Sequence, residues 1–566
     1  MLPDQTSQSR PAIWVLGTTL LGFGGGIAWL FGISRATHFD GLYGQDPYAY
    51  FDYGQQIANL IVHGHGLGYF YWPLGYPALL GFGFLIGGVS EAIAQFVTIL
   101  CSATAALLIG LLAAEIAHQL QFPKRLVWIS GLSAWVLLLS SGQVIQSGIV
   151  VMADMPALMW ATFSAWSLAC YLRAHRSVWL GLAAFGLSWA TMSRWQYVAL
   201  VLPWGIACAC HWRRLELQVT SDLNQLVEGD GHYKRVWLRH LLVAITIGLI
   251  TSTPQIIYTL QNPDPALRHE WLTSWSAANA FSRDFVTADG TFHYDQPIAE
   301  YYLLPLTSPY YLSVWLLPLV AMGLLAMIVF LVRRSTPFGL INDDARRQTE
   351  SDPIRSIQPA IVRMSRPNVV PLAILLFGWI AVEYGFLIGI PYQNIRFALA
   401  FFPPLLVLVG IGIAAVLSLA NQRNRLLRIG ISTIVIGLSG WGTMSTLPIA
   451  SGLVSSFVAN KDRDLAAVRW MESQIPEASA SVYTLDLALT MTHYSKLTPV
   501  QIYYETPDSL TVRLPLDRPA YALINVWTTE HQWPGKAPWI IYHWLLDNPG
   551  LDEIGTFSIY TLYRVR

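Results

Sequence analysis

The sequence predicts a polytopic α-helical membrane protein, with about eleven transmembrane helices and a small exported α/β domain at its C-terminal end. Three observations predict this class. Mean hydropathy is +0.43, and 54% of the 566 residues are hydrophobic while only 12% are charged, roughly half the charge of an average soluble domain. Apolar runs recur along the chain at close to the ~17–25 residues that a helix needs to cross a bilayer. After Pro448 the pattern changes to short, alternating strand and helix signals.

The runs lie near 13–33, 92–117, 126–142, 155–172, 178–193, 195–211, 241–258, 309–332, 369–390, 397–419 and 428–447. A twelfth stretch, Tyr76 to Val89, is short and glycine-rich, which suits an interfacial or re-entrant segment better than a crossing. Charge supports leaving it out. With a cytoplasmic N-terminus and eleven spans, the inner segments hold twenty Lys and Arg residues, among them Arg213, Arg214, Arg333 and Arg334. The outer loops between spans hold only Arg35, Arg194, Arg268, Arg283 and Arg396, the long exported tail being left out of the comparison. That asymmetry is what orientation by Lys/Arg excess demands. The chain then divides into a membrane module, 1–447, with long outer loops at 34–91 and 259–308, and an exported α/β domain, 448–566.

The first long loop is dense in aromatics, glycines and histidines, and Pro47 to Ile61 could form a helix lying on the membrane surface. The second is far longer than a connector between packed helices needs. The inner stretch 333–368 is polar and Arg-rich and reads as a solvated linker. In the tail, DLAAVRWMESQI and WIIYHWLLDNP have helical patterns, and SVYTLD, VQIYYE, YALINVW and FSIYTLYRV read as strands.

Several classes are excluded or left unsupported. A formal net charge of zero, with no basic stripe beyond the span-flanking residues, gives no case for nucleic-acid binding. No Gly-rich phosphate loop opens the tail. The four cysteines, at 101, 170, 208 and 210, all lie in or beside spans, so no disulfide framework supports the outer parts. The first apolar run lacks a small-residue cleavage site and reads as a retained span.

Seven residues stand out as candidates for chemistry. Asp46, beside Pro47 and close to Tyr48, Tyr50 and Asp52, can act as a general base or ligate a cation, or can simply start a helix. Asp154, two residues before Pro156, opens a span and has the same two readings. Arg194, in a tight hairpin turn, and Arg396, at the start of a span, run against the positive-inside bias. A guanidinium suits bidentate phosphate binding, and snorkelling to headgroups is the competing account. Glu383 sits within a span, where an ionisable group is a functional hypothesis by default, although bonding within the bundle would satisfy it too. His63 and His65 could share a metal only if a third ligand folded back on them, and a glycine-rich turn explains them as well.

In chain order these pieces are an outer loop with Asp46-Pro47-Tyr48, an aromatic WPLGYPALL segment and a span-opening Asp154-x-Pro156. A basic Arg194 between two close spans follows, then Arg396-Phe397-x-Leu399 before Pro403. That order resembles the GT-C glycosyltransferases, of the ArnT-like and protein-mannosyltransferase-like kind, over nearly the whole chain. The resemblance implies an inverting enzyme that takes a monosaccharide, hexosyl or pentosyl, from a polyprenyl-phosphate donor. The acceptor would be a lipid, glycan or protein hydroxyl at the outer face of a plasma (inner) membrane. It implies that Asp46 deprotonates the acceptor and that Arg194 and Arg396 lie near the donor phosphate. Asp154 would shape the same cavity or its metal, and Tyr48 and Glu383 would join the substrate-binding set. Gln45-Asp46-Pro47 stands where a paired Asp-Glu is common in some branches, so a divalent cation, Mg or Mn, is left open. The tail lacks the Trp-Trp-Asp signature of oligosaccharyltransferases. A transporter or lipid flippase would show internal repeats and interrupted charged helices, and no repeat is evident. A non-catalytic assembly protein would tolerate loss of each outer carboxylate and arginine.

Overall fold

The computed structural model describes residues 9–223, 230–263, 270–335, 369–517, 519–548 and 550–566. The inner linker read at 333–368 lies outside them from position 336 onward. The eleven apolar runs fall mostly on helix, although the one at 309–332 becomes helical only at Val314 and the one at 126–142 is broken at Ser141. The first half holds α1 (Ser9–Ala36), α2 (Gln45–His63), α3 (Gly75–Gly87), α4 (Glu91–Gln119), α5 (Lys124–Ser140), α6 (Gly142–Ile149), α7 (Asp154–Ala174), α8 (Ser177–Ser193), α9 (Val201–Leu223) and α10 (Asp230–Gln261). The second half holds α11 (Leu317–Ser335), α12 (Val369–Gly389), α13 (Phe402–Asn421) and α14 (Arg425–Gln474). Six helical segments among the described residues are long and apolar enough to cross a membrane by themselves: 91–119, 235–261, 314–332, 369–389, 395–421 and 425–474. A seventh follows if α5 and α6, bent by 67° at Ser141, count as one broken span. The remaining runs are shorter or carry more polar residues, so eleven crossings stays an expectation.

Small residues let the helices approach closely. A Cβ on Gly110 of α4 would lie 2.9 Å from the Gly131 carbonyl of α5, and one on Gly131 would lie 2.7 Å from that of Gly110. Contact of this kind replaces the hydrophobic driving force that lipid cannot supply. α13 runs through the middle of the bundle, almost wholly buried, against α5 and α11. Leu242, Ile245, Leu249, Ile250, Ile257 and Leu260 of α10 stand exposed, as a lipid-facing side requires.

The glycine-rich stretch at Tyr76–Val89 is the thirteen-residue helix α3, which packs on α2. Gly54 lies under Leu80, and Gly81 lies against Ile57. In the second long loop a hairpin of β1 (Asp284–Thr287) and β2 (Gly290–His293) is followed by single helical turns leading into α11.

α14 is one helix of 50 residues that continues through Pro448 into the tail. There, a five-stranded sheet has the order β4-β3-β5-β7-β6, formed by β3 (Ser481–Thr484), β4 (Thr498–Gln501), β5 (Ala520–Ile524), β6 (Leu551–Phe557) and β7 (Tyr560–Val565). β3 pairs parallel with β4 and β5, while β7 is antiparallel to β5 and β6. Alternation sorts the side chains between two cores. Val482, Tyr521 and Leu523 meet Ala467, Val468 and Met471 of α14, and Met491 of α15 (Ala488–Tyr494). Tyr483, Ala522 and Ile524 meet Leu510 of α16 (Pro507–Arg513) and Ile541 and Leu545 of α18 (Ala537–Asp547); α17 (Val526–Gln532) lies between these two helices in the chain. The segment VQIYYE turns into a helical turn after Gln501, and FSIYTLYRV is split at Ser558, whose positive φ of 57° makes the β6–β7 turn.

Asp486, just after β3, is held away from water, and with Asp464 nearby its carboxyl is pushed up to about 6. The folded state therefore binds this proton more tightly than the unfolded chain does. Its contribution favours folding most below about pH 4 and is lost as the pH rises to about 6. Asp486→Asn is expected to raise the unfolding temperature at pH 7 while leaving it unchanged at pH 4. An equal shift at both pH values would refute the assignment.

Candidate active site

Four charged side chains from four separate stretches of chain meet at one end of the bundle. Asp46 occupies the first turn of α2, where a carboxylate is favoured by the exposed backbone N–H groups. Asp154 occupies the same place in α7. Arg194 follows the last residue of α8 in an extended conformation, its N–H donating to the Ala190 carbonyl at 2.8 Å. Arg396 lies in the helical turn Ile395–Phe401, whose start is capped by Asn394; the Asn394 side chain accepts from the Arg396 N–H at 3.2 Å.

The stretches leading to Asp46 and Asp154 are drawn together by hydrogen bonds to backbone carbonyls. Val151 N–H donates to the Gly41 carbonyl at 2.9 Å, and the Gln95 amide donates to the carbonyls of Phe39 and Ile149. The approaches to Asp46 and Asp154 thus share one anchor on α4.

Arg194 Nη2 lies 2.7 Å from Asp154 Oδ1, and Arg396 Nη2 donates to Asp46 Oδ2 at 2.8 Å. The two pairs touch, because Arg396 Nε is 4.0 Å from Asp154 Oδ2. Both guanidiniums also face the ring of Phe397, at 5.4 and 5.5 Å from its centroid. Asp154 and Arg194 are nearly sealed from solvent, whereas about a quarter of the Asp46 and Arg396 side chains remains accessible. Asp154 Oδ2, Arg194 Nε and Arg396 Nε are buried and make no hydrogen bond among the described residues. Such orphaned groups are costly and call for an explanation. Two unused guanidinium N–H groups beside an accessible edge are what an anionic ligand would complete.

Tyr50, which carries no charge or motif signal in the sequence, stands four residues along α2 from Asp46, on the same helix face. Its hydroxyl lies within the field of Arg194, Asp46, Asp154 and Arg396, and burial raises its pKa so that it stays a neutral donor. Only the helical spacing from Asp46 could have pointed to it. Tyr48 is placed elsewhere. Its ring packs 4.8 Å from that of His493 in the tail, away from the four charges.

Glu383 is fully buried in α12, and neither of its oxygens has a hydrogen-bond partner among the described residues. It does not touch the four-residue cluster, but Tyr197 lies within the field of Glu383, Asp154 and Arg194 together. His63 and His65 are exposed with rings 5.7 Å apart. Among the described residues no three His, Cys, Asp or Glu side chains are grouped to hold a metal ion. Nor does the central donor set fit a divalent cation, since each carboxylate already has an arginine and the buried oxygen without a hydrogen bond, Asp154 Oδ2, faces a second guanidinium.

Fold and site together define a polytopic membrane protein with a carboxylate–arginine centre between its long loops. Comparison with known proteins places that architecture. The chain has the GT-C fold. It overlays ArnT from Cupriavidus metallidurans bound to undecaprenyl phosphate with a TM-score of 0.52 at 13% identity, covering 99% of this chain and 98% of that one. It overlays the apo state of the same protein with a TM-score of 0.53 at 13% identity, covering 99% of each chain. The sequence profile of the dolichyl-phosphate-mannose-protein mannosyltransferase family matches residues 51–262, a stretch that includes Asp154 and Arg194 and stops short of Asp46 and Arg396. No curated protein matches by sequence. The chain is thus a polytopic helical protein with the GT-C fold, and its residues 51–262 are similar to that mannosyltransferase family.

Proposed function

We propose that this protein moves one sugar from a polyprenyl-phosphate donor to a hydroxyl of a lipid, glycan or protein acceptor at the outer membrane face, with inversion at the anomeric carbon. The observation that carries the reading is the pair of guanidiniums with unused Nε–H groups, set beside an accessible aspartate. Asp46 Oδ2 is held by Arg396, which leaves Oδ1 without a hydrogen bond among the described residues and able to take the acceptor proton. As that O–H bond breaks, the acceptor oxygen forms its bond to the anomeric carbon. The bond from that carbon to the phosphate oxygen breaks, and its electron pair leaves on the phosphate. Arg194 and Arg396 are fixed where that charge grows, so they need little reorganisation to stabilise it. Asp154 holds Arg194 in place, and Tyr50 offers a neutral hydroxyl to the same space. Glu383 completes the reading as a buried donor-side group, with Tyr197 in the field of both it and Arg194.

The experiment is transfer or hydrolysis by purified protein in lipid with a radiolabelled panel of polyprenyl-phosphate monosaccharides. Turnover of at least one donor is expected, and activity should survive chelation of divalent cations, because fixed positive charge comes from arginine. Activity abolished by chelator and restored by Mg or Mn would overturn the arginine-only account. Arg396→Ala is expected to weaken binding of the donor about tenfold or more, the loss of one charge-assisted contact. Unchanged donor affinity would remove Arg396 from the phosphate site.

A further inference from the structure

We propose that the C-terminal domain is a working part of this site, with His493, Tyr494 and Lys461 acting as positioning residues for Asp46. The inference rests on the glycosyl-transfer reading above and adds to it a role for the tail.

The chain leading into Asp46 has little rigidity of its own. Gly41 and Gly44 both have positive φ, at 94° and 82°, and Gly44 occupies the cap position of α2 without any side chain to cap the helix. Gly44 has open space around its α-carbon. Such a segment must be fixed from outside if the carboxylate is to hold within a fraction of an ångström of its working position.

The bonds of Phe39 to Gln95 and of Gly41 to Val151 hold the start of the segment, and the remaining fixing contacts come from the tail. The Asp40 carboxylate takes the ammonium of Lys461, itself only 5% exposed, and accepts from the Tyr494 hydroxyl at 2.9 Å. The Gln45 amide donates to the Leu485 carbonyl at 3.4 Å. On α2 the residues at 48, 51 and 52 face α15, while those at 46 and 50 face the arginines. Tyr48 and Phe51 pack on the His493 ring at 4.8 and 5.4 Å, and the Tyr48 ring lies edge-on to that of Tyr494 at 6.2 Å. His493 Nε2 lies 3.0 Å from Asp52 Oδ1, although its N–H is not aimed along that line. α15 therefore clamps the face of α2 opposite the one that carries Asp46.

The Arg396 side is held in a parallel way. The Gln532 amide of α17 donates to the Asp289 carbonyl at the tip of the β1–β2 hairpin, at 3.0 Å. Phe292 of that hairpin packs edge-on to Tyr392, four residues before Arg396. The tail thus reaches both partners of the Asp46–Arg396 pair from outside the site, touching neither.

The test compares wild type with His493→Ala, His493→Gln and Tyr494→Phe in lipid. It reads kcat, the donor KM and hydrogen exchange over residues 41–52 and over β3 and β5. His493→Ala is expected to lower kcat about 10–100-fold with donor KM within about twofold, since misplacing a reacting group by an ångström can cost about a hundredfold. Exchange over 41–52 should rise about tenfold while β3 and β5 keep their protection, and His493→Gln should recover most of the rate. Unchanged kcat and exchange would overturn the proposal, as would a loss of rate that tracks loss of protection in the tail strands. If wild type turns over no donor, the transfer reading itself fails; the exchange comparison then still decides whether the tail holds the Asp46 segment.

Discussion

Asp46→Asn is expected to fold, to bind the lipid donor within a few-fold of wild type, and to lose about 10²–10⁴-fold in kcat, the usual contribution of a positioned general base. The amide keeps the shape of the carboxylate and can still accept from Arg396 Nη2, so the local geometry should survive. What it cannot do is take up the acceptor proton. Donor hydrolysis and transfer should fall together, because water and acceptor need the same base. Asp46→Glu keeps the function but lengthens the side chain against a helix start that the tail holds in place, so it should recover only part of the rate. A kcat for the Asn variant equal to wild type, in protein with an unchanged unfolding temperature, would take Asp46 out of the chemistry.

Asp154→Ala should instead act first on stability. Asp154 and Arg194 are nearly sealed from solvent and 2.7 Å apart, so deleting the carboxylate leaves a buried guanidinium without a counter-charge. Breaking a buried pair in this way costs about 3–5 kcal/mol. The variant should unfold at markedly lower temperature and purify poorly from the membrane. Replacing both members, as in Asp154→Ala with Arg194→Met, should restore much of that stability, because the unpaired charge is gone. It should not restore turnover, because the phosphate would then meet one guanidinium in place of two. Full stability in the single variant would mean that water or lipid phosphate already compensates Arg194. Recovered turnover in the double variant would mean that Arg194 does not serve the donor.

Much of the architecture was legible because it is driven by local composition. Membrane helices must satisfy their backbone internally and present apolar side chains to lipid, so α4, α10, α12 and α13 announce themselves as runs. The tail strands β3 and β5 were legible for a related reason, since strands covered on both faces read as short apolar runs between turn signals. Where two opposing signals shared one stretch, reading from sequence was less sharp. FSIYTLYRV has strand character throughout, and only the positive φ at Ser558 divides it into β6 and β7. VQIYYE is cut short because Tyr503 packs against Trp533 from a helical turn rather than from a strand.

The candidate site divides in the same way. Asp46, Asp154, Arg194 and Arg396 could be picked out one at a time, because each is a charge in a place where charge is expensive or misplaced. Tyr48 and Tyr50 could not be told apart by proximity to Asp46 in the chain. The turn of α2 sends Tyr50 toward the arginines and Tyr48 toward His493. Glu383 was visible as a buried acid, but that both its oxygens would lack a partner was not.

By itself, then, the sequence determined the helical membrane class, the small α/β tail and the identities of four costly charges, since these follow from transfer free energies summed along the chain. Only the tertiary structure decided that Asp46 pairs with Arg396, 350 positions away, and that Arg194 pairs with Asp154. It also decided that a domain more than four hundred residues downstream closes on the helix carrying Asp46. Pairings of that kind depend on which helix faces meet, and a composition gradient carries no information about relative rotation. The physical reason is that burial energy is nearly indifferent to partner, whereas an ion pair or a hydrogen bond exists only at one distance and one angle.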